Sequence, residues 1–159
     1  MRRLTLIIAA LAGLASPARA APQCTSPADQ SAYEMLSLRQ QMVVLAFKCS
    51  RQDDYNKRFI IRFQPVVQAN NRAVLAYFRR AYGNSGQGRM DAFITELVNV
   101  MSQEANRQGG EYCARASYLI NEMNALRTMD ELVAFAAVKD MAPSGTTMCA
   151  TASAPARRR

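Results

Sequence analysis

The chain has no histidine and no tryptophan, and its 12 acidic residues are outnumbered by 20 Lys and Arg. Without histidine there is no His-based catalytic triad, no imidazole proton shuttle and no His-containing zinc site. Four cysteines are present, but no Cys-x-x-Cys, which excludes a thioredoxin-type redox centre and a zinc knuckle. Past residue 20 no apolar run approaches the roughly 20 residues a membrane-spanning helix needs, so no transmembrane helix is expected there. Half of the 159 residues are apolar and a fifth are charged, the composition of a folded chain of single-domain length.

The N-terminus supplies an address. Arg2 and Arg3 precede an apolar run from Leu4 to Leu14, followed by Ser16-Pro17 and the small-residue site Ala18-Arg19-Ala20. This three-part layout predicts a signal peptide over 1–20 with cleavage after Ala20, and hence a periplasmic or secreted protein. The expected mature chain carries 17 positive and 12 negative residues, a net of +5. Its excess charge is too small to point to nucleic acid as a partner.

Helical signals dominate from residue 26 onward, and no period-2 strand is found. Ser26-Pro27-Ala28-Asp29 has an N-cap, a proline at the first helical position and an acid in the first turn. Behind it Met35, Leu38, Met42, Leu45 and Cys49 form one helical stripe. Asp53 or Asp54 opens a second helix toward Tyr82, with Phe59, Phe63, Val66, Val74, Tyr77 and Ala81 on its apolar face. Pro65 lies within this run on the outward side and is expected to kink or split it. Gly83 to Gly88 reads as a loop. A third helix follows through Met90, Phe93, Ile94, Leu97, Val98, Met101 and Ala105 and stops before Gly109-Gly110. A fourth uses Tyr112, Ala116, Leu119, Ile120, Met123 and Leu126, and Thr128-Met129-Asp130-Glu131 has capping-box spacing for a short fifth. The expected fold is all-α: a single-domain bundle of four to five helices over 21–141, with a kinked second helix. A flexible Pro-, Ser- and Ala-rich tail follows over 142–159.

All four cysteines remain after cleavage, and an even count in an exported chain predicts two disulfides. A helix over 28–48 would hold Cys24 and Cys49 roughly 30 Å apart, whereas a disulfide needs Cα atoms within about 7 Å. In an up-down bundle the end of the first helix and the start of the fourth share a pole, so Cys49 pairs with Cys113. Cys24 and Cys149 then pair by elimination.

Leu45-Ala46 leading to Cys49, Asp54-Tyr55-Asn56, Phe63-Gln64-Pro65, Ala76-Tyr77-Phe78-Arg79-Arg80 with Tyr82-Gly83, and Asp91 through Asn99 together make the stretch 45–113 resemble an uncharacterised family of small exported bacterial helical proteins. The resemblance implies export and a helical fold and supplies no catalytic residue. Similar sequences sometimes carry an S-adenosylhomocysteine hydrolase label. This chain does not support it: such enzymes resemble large NAD-binding Rossmann proteins, and the strand-loop-helix glycine fingerprint is missing.

Charge is segregated along the chain. From Tyr55 to Met90 there is no acid, while Lys57, Arg58, Arg62, Arg72, Arg79, Arg80 and Arg89 give +7. On the helical projection Arg58, Arg62, Arg72, Arg79 and Arg80 form a stripe roughly opposite the apolar face, the candidate anion-binding patch. Its expected partner is an envelope protein, a glycan or an anionic lipid surface. The alternatives are a small carboxylate-dependent hydrolase acting on envelope polymers through Asp54, Asp91 or Glu104, in which burial would raise the Glu104 pKa toward a useful acid, and a chaperone-like periplasmic helical protein. Asn56 and Asn70 project toward the apolar face of the second helix. Met35, Met42, Met90, Met101 and Met123 fit core stripes and form no Met-x-x-Met cluster, so no metal or other cofactor is expected. No catalytic residue is assigned, and a non-enzymatic binding module is the favoured reading.

Overall fold

The computed structural model describes residues 25–139, all of whose regular elements are helical. The expected signal peptide over 1–20, the Cys24–Cys149 pairing and the tail over 142–159 lie outside the described residues. Five α-helices follow in order: α1 (Pro27–Lys48), α2 (Gln64–Tyr82), α3 (Gly86–Gln108), α4 (Gly110–Ala125) and α5 (Met129–Val138). A π-helical segment, Asp54–Ile61, precedes α2. Among the described residues no helix is long and apolar enough to cross a membrane.

Local chemistry sets several boundaries. Ser26 Oγ accepts from the Asp29 backbone N–H at 3.2 Å, the Asp29 carboxylate accepts from the Ser26 N–H at 3.1 Å, and Pro27 begins the helix between them. The Thr128 hydroxyl and Glu131 carboxylate form the same reciprocal box at α5. Gly83, at φ +58° and ψ −131°, ends α2 in a conformation open essentially to glycine alone.

The long run after residue 53 is split, with Pro65 in the first turn of α2 and exposed. Proline has no N–H to offer the preceding turn, so the break falls just ahead of it. Backbone bonds from Phe63 N–H to Phe59 O and from Val67 N–H to Phe63 O carry the chain across the junction. The π-helical segment also changes the apolar face. Each residue of an i→i+5 helix advances by less than the 100° of an α-helix, so residues later in sequence rotate inward. Phe59, Phe63 and Val74 are buried as expected, but Val67 and Phe78 are buried more deeply than Val66 and Tyr77.

Around α1 the packing goes beyond one stripe. Met35, Leu38, Met42 and Leu45 face a core shared with Phe59, Phe63, Ile120, Met123 and Leu132, while Tyr33 and Leu36 face Val74, Phe78, Phe93 and Ile94 in a second cluster. Ser37, Gln40, Val44 and Ala46 are buried as well, so α1 is the axis of the bundle. Tyr33 stacks edge-on against Tyr77 and Phe93, with ring centroids 5.3 and 5.4 Å away. Burial among these rings pushes its phenol well above the usual tyrosine range.

Pairings between side chains give the directions. Arg39 meets Asn71 and Asp29 meets Arg80, so α1 and α2 are antiparallel. Tyr33 meets Phe93 and Lys48 meets Asn106, so α1 and α3 are parallel. The disulfide Cys49–Cys113 ties the end of α1 to the start of α4, as the shared-pole reasoning requires. Arg62, just ahead of α2, donates to the carbonyls of Asn124 and Leu126 at the other end of α4. Both ends of α4 are thus held near one pole, and α4 crosses it instead of running the length of the bundle. The 83–88 stretch is also more ordered than a loop. A single 3₁₀ turn, Gly83–Ser85, leads directly into α3 at Gly86. A Cβ on buried Gly86 would lie 2.8 Å from the Arg79 backbone, so α2 and α3 meet here backbone to backbone.

Candidate functional site

The acid-free run from Tyr55 to Met90 occupies the π-helical segment, α2 and the first turn of α3. Arg58 Nε lies 2.9 Å from Asp54 Oδ1, one turn back in the same segment, and Asp54 also holds Arg51. Arg62 closes the end of α4 and lies over the Phe63 ring at 5.0 Å. Arg80 is paired with Asp29, and its guanidinium sits 5.8 Å from the Tyr77 ring centroid. Three of the five arginines of the candidate patch therefore have partners among the described residues: Arg58 within its own segment, and Arg62 and Arg80 on other elements.

Arg72 and Arg79 differ. Both are exposed and have no ion pair or hydrogen bond among the described residues. They are seven residues apart on α2, so they share one side of the helix about 10 Å apart along its axis. That side points away from Val67, Val74 and Phe78, the residues that bury α2. Arg89 in α3 adds an exposed guanidinium 5.6 Å from the Tyr82 ring, and it too has no carboxylate partner among the described residues. Arg39, which the periodicity did not single out, is a half-buried cation on α1. Its Nη1 donates to Asn71 Oδ1 at 2.7 Å, beside Arg72, while its Nε is buried without a partner among the described residues. Finding it in advance would have required knowing that α2 runs back along α1.

The carboxylates proposed for hydrolysis are held separately. Asp54 is occupied by Arg51 and Arg58, and Asp91 accepts from Gln87 Nε2 at 2.9 Å. Glu104 receives Arg107 at 2.6 Å and Gln108 at 2.6 Å. Asp91 and Glu104 stand on one helix with about 20 Å of axis between them, so they do not converge. The expected rise in the Glu104 pKa is reversed. Hydrogen bonds from Arg107, then Gln108, lower it from the ordinary glutamate value, because the side chain is 44% exposed and faces its own helix neighbours. Among the described residues no group of three or more Cys, Asp or Glu side chains could hold a metal ion. Met35, Met42 and Met123 are buried in the core, as their spacing predicted.

A groove of about 410 Å³ between α1 and α3 is lined by Val43, Val44, Phe47, Lys48, Val98, Ser102, Ala105 and Asn106. A smaller one of about 220 Å³, between α1, α2 and α5, has walls of mostly small residues with Asn70 among them. Asn56, expected on the same apolar face, is exposed instead, on the π-helical segment whose winding shifts the phase. None of the patch arginines and none of the three candidate carboxylates lines either groove.

No family model, curated protein or solved structure matches the chain.

Proposed function

We propose that this protein is a non-enzymatic binding module of the bacterial cell envelope that holds an anionic partner on the outward face of α2. The observation that carries this reading is the pair Arg72 and Arg79. They are exposed, aligned on one side of a helix and free of carboxylates among the described residues, with Arg89 close to the same end of α2. An unpaired guanidinium gives up no internal ion pair when it meets a phosphate or carboxylate, and its planar fork can bind either in two-point fashion. Arg58, Arg62 and Arg80 add positive field while serving the fold. The N-terminal signal layout and the Cys49–Cys113 disulfide support a periplasmic or secreted setting, and the resemblance over 45–113 supports the same setting.

The test is binding of the double variant R72Q/R79Q to vesicles containing phosphatidylglycerol and to a heparin column, at several salt concentrations. Each charge contributes about 1 kcal/mol near an anionic surface, so the double variant should bind roughly 30-fold more weakly at low salt. Far-UV circular dichroism should not change, because neither side chain touches the core. Equal retention of the variant and the parent protein on both anionic supports would overturn the proposal.

A further inference from the structure

The groove between α1 and α3 has a direction. Because the two helices run parallel, Val43 and Val98 lie toward one end, and Lys48 and Asn106 face each other at the other. Its surface is mainly apolar, from Val43, Val44, Phe47, Val98 and Ala105. Of its polar groups, Lys48 and Asn106 come from the final turns of the two helices and Ser102 from one turn earlier in α3. Phe47 is 72% exposed at the groove wall, although it belongs to the helix that otherwise forms the bundle axis. Lys48 Nζ donates to Asn106 Oδ1 at 2.7 Å and has no carboxylate partner among the described residues. A cation whose acceptor is a neutral amide retains its attraction for an anion.

We infer that this groove binds a free single-chain carboxylate amphiphile, a fatty acid, with its head at Lys48 and its alkyl chain lying toward Val43 and Val98. The volume falls in the range of small-molecule sites between helices, where an apolar lining and a few polar groups fix orientation. The carboxylate takes the place of Asn106 Oδ1 as acceptor for Lys48. The Asn106 amide N–H groups and the Ser102 hydroxyl then supply further donors. A diacyl lipid would bring two chains to a groove with one apolar track, and an alkylammonium would set like charge against Lys48. The site is separate from the α2 arginines.

The test is calorimetric titration of the intact oxidised protein with dodecanoate below its micelle concentration, compared with dodecanol, dodecyltrimethylammonium and short-chain phosphatidylglycerol. One equivalent of dodecanoate should bind, and Lys48→Met should weaken it roughly ten-fold, the value of one charge-assisted hydrogen bond, while leaving dodecanol unchanged. Val98→Glu should abolish binding of both, with the circular dichroism spectrum and the Cys49–Cys113 linkage retained as evidence of folding. If Val98→Glu fails to fold, Val43→Thr, which keeps the side-chain shape, should weaken both ligands instead. R72Q/R79Q should bind dodecanoate as the parent does, which separates this inference from the proposed function. Equal affinity for dodecyltrimethylammonium, preference for phosphatidylglycerol, several equivalents bound, or no effect of Lys48→Met would each overturn it. So would failure to bind dodecanoate together with binding of an amphipathic Leu/Glu helical peptide at the groove.

Discussion

Arg80, in the last turn of α2, places Nη2 2.5 Å from Oδ1 of Asp29 in the first turn of α1. The same carboxylate closes the capping box with Ser26. One side chain thereby fixes a helix start and pins the neighbouring helix to it. Partial burial works against the charged form of Asp29, but hydrogen bonds from Ser26 and Arg80 outweigh it and hold the pKa below the ordinary value of 3.8. A carboxyl group with a lowered pKa in the folded state contributes stability that is present above its unfolded value and lost as pH falls through the folded one. Asp29→Asn is expected to cost about 1 kcal/mol near neutral pH. The difference from the parent should shrink as the solution is acidified below about pH 4, in urea melts across that range. Arg80→Gln should cost less than Asp29→Asn, because the capping box survives.

The Cys49–Cys113 bridge joins residues 64 apart in sequence. Closing a loop of that length stabilises by about 4 kcal/mol in the chain-entropy view. The double variant C49S/C113S should lose about that much in guanidinium unfolding. Peptide mapping without reductant should recover the Cys49 and Cys113 peptides joined.

Gly86 and Gly88 should respond oppositely to alanine. At Gly86 the added methyl would meet the Arg79 backbone at 2.8 Å, with no flexible side chain to yield, whereas at Gly88, among the described residues, nothing beyond its own stretch of helix lies within 4 Å. Gly86→Ala should destabilise by roughly 1–3 kcal/mol, the cost of overpacking. Gly88→Ala should stabilise α3 by about 0.5–1 kcal/mol through helix propensity. Thermal melts of the two variants side by side provide the check.

Ser37 is 0% exposed and its hydroxyl has no hydrogen-bond partner among the described residues. A buried hydroxyl without a partner carries its desolvation cost uncompensated. Ser37→Ala removes that cost and improves helix propensity, so it should raise stability by about 1 kcal/mol. A lower melting temperature in the variant would show that the hydroxyl is satisfied after all.

What could be read from the sequence is what short-range rules govern. Ser26 with Asp29 and Thr128 with Glu131 announce their helix starts because each box closes within four residues. Pairing Cys49 with Cys113 required only that helix 1 end where helix 4 begins. Other features depend on partners far along the chain. Asp29 takes up Arg80 from 51 residues away, and Arg62 reaches the carbonyls at the end of α4 from more than 60; with Arg58 held locally by Asp54, a stripe of five arginines became a pair of free ones. Phase was lost at the π-helical turn, where a constant 100° per residue favours Val66 over Val67. The groove was not visible at all. Phe47 lies off the stripe of Met35, Leu38, Met42 and Leu45, and without α3 in place nothing distinguishes it from an ordinary surface phenylalanine.

The position of α1 has a consequence in time. Its surface is shared among α2, α3, α4, α5 and the π-helical segment, yet it leads the described residues and leaves the ribosome before any of them. Until α3 and α5 have been made, Leu36, Leu38, Met42 and Leu45 have no lasting cover. Chains cut short after α2 should therefore stick to one another or to a holding factor, since transiently uncovered apolar surface promotes aggregation. The helix synthesised first is the one that must wait longest for its neighbours.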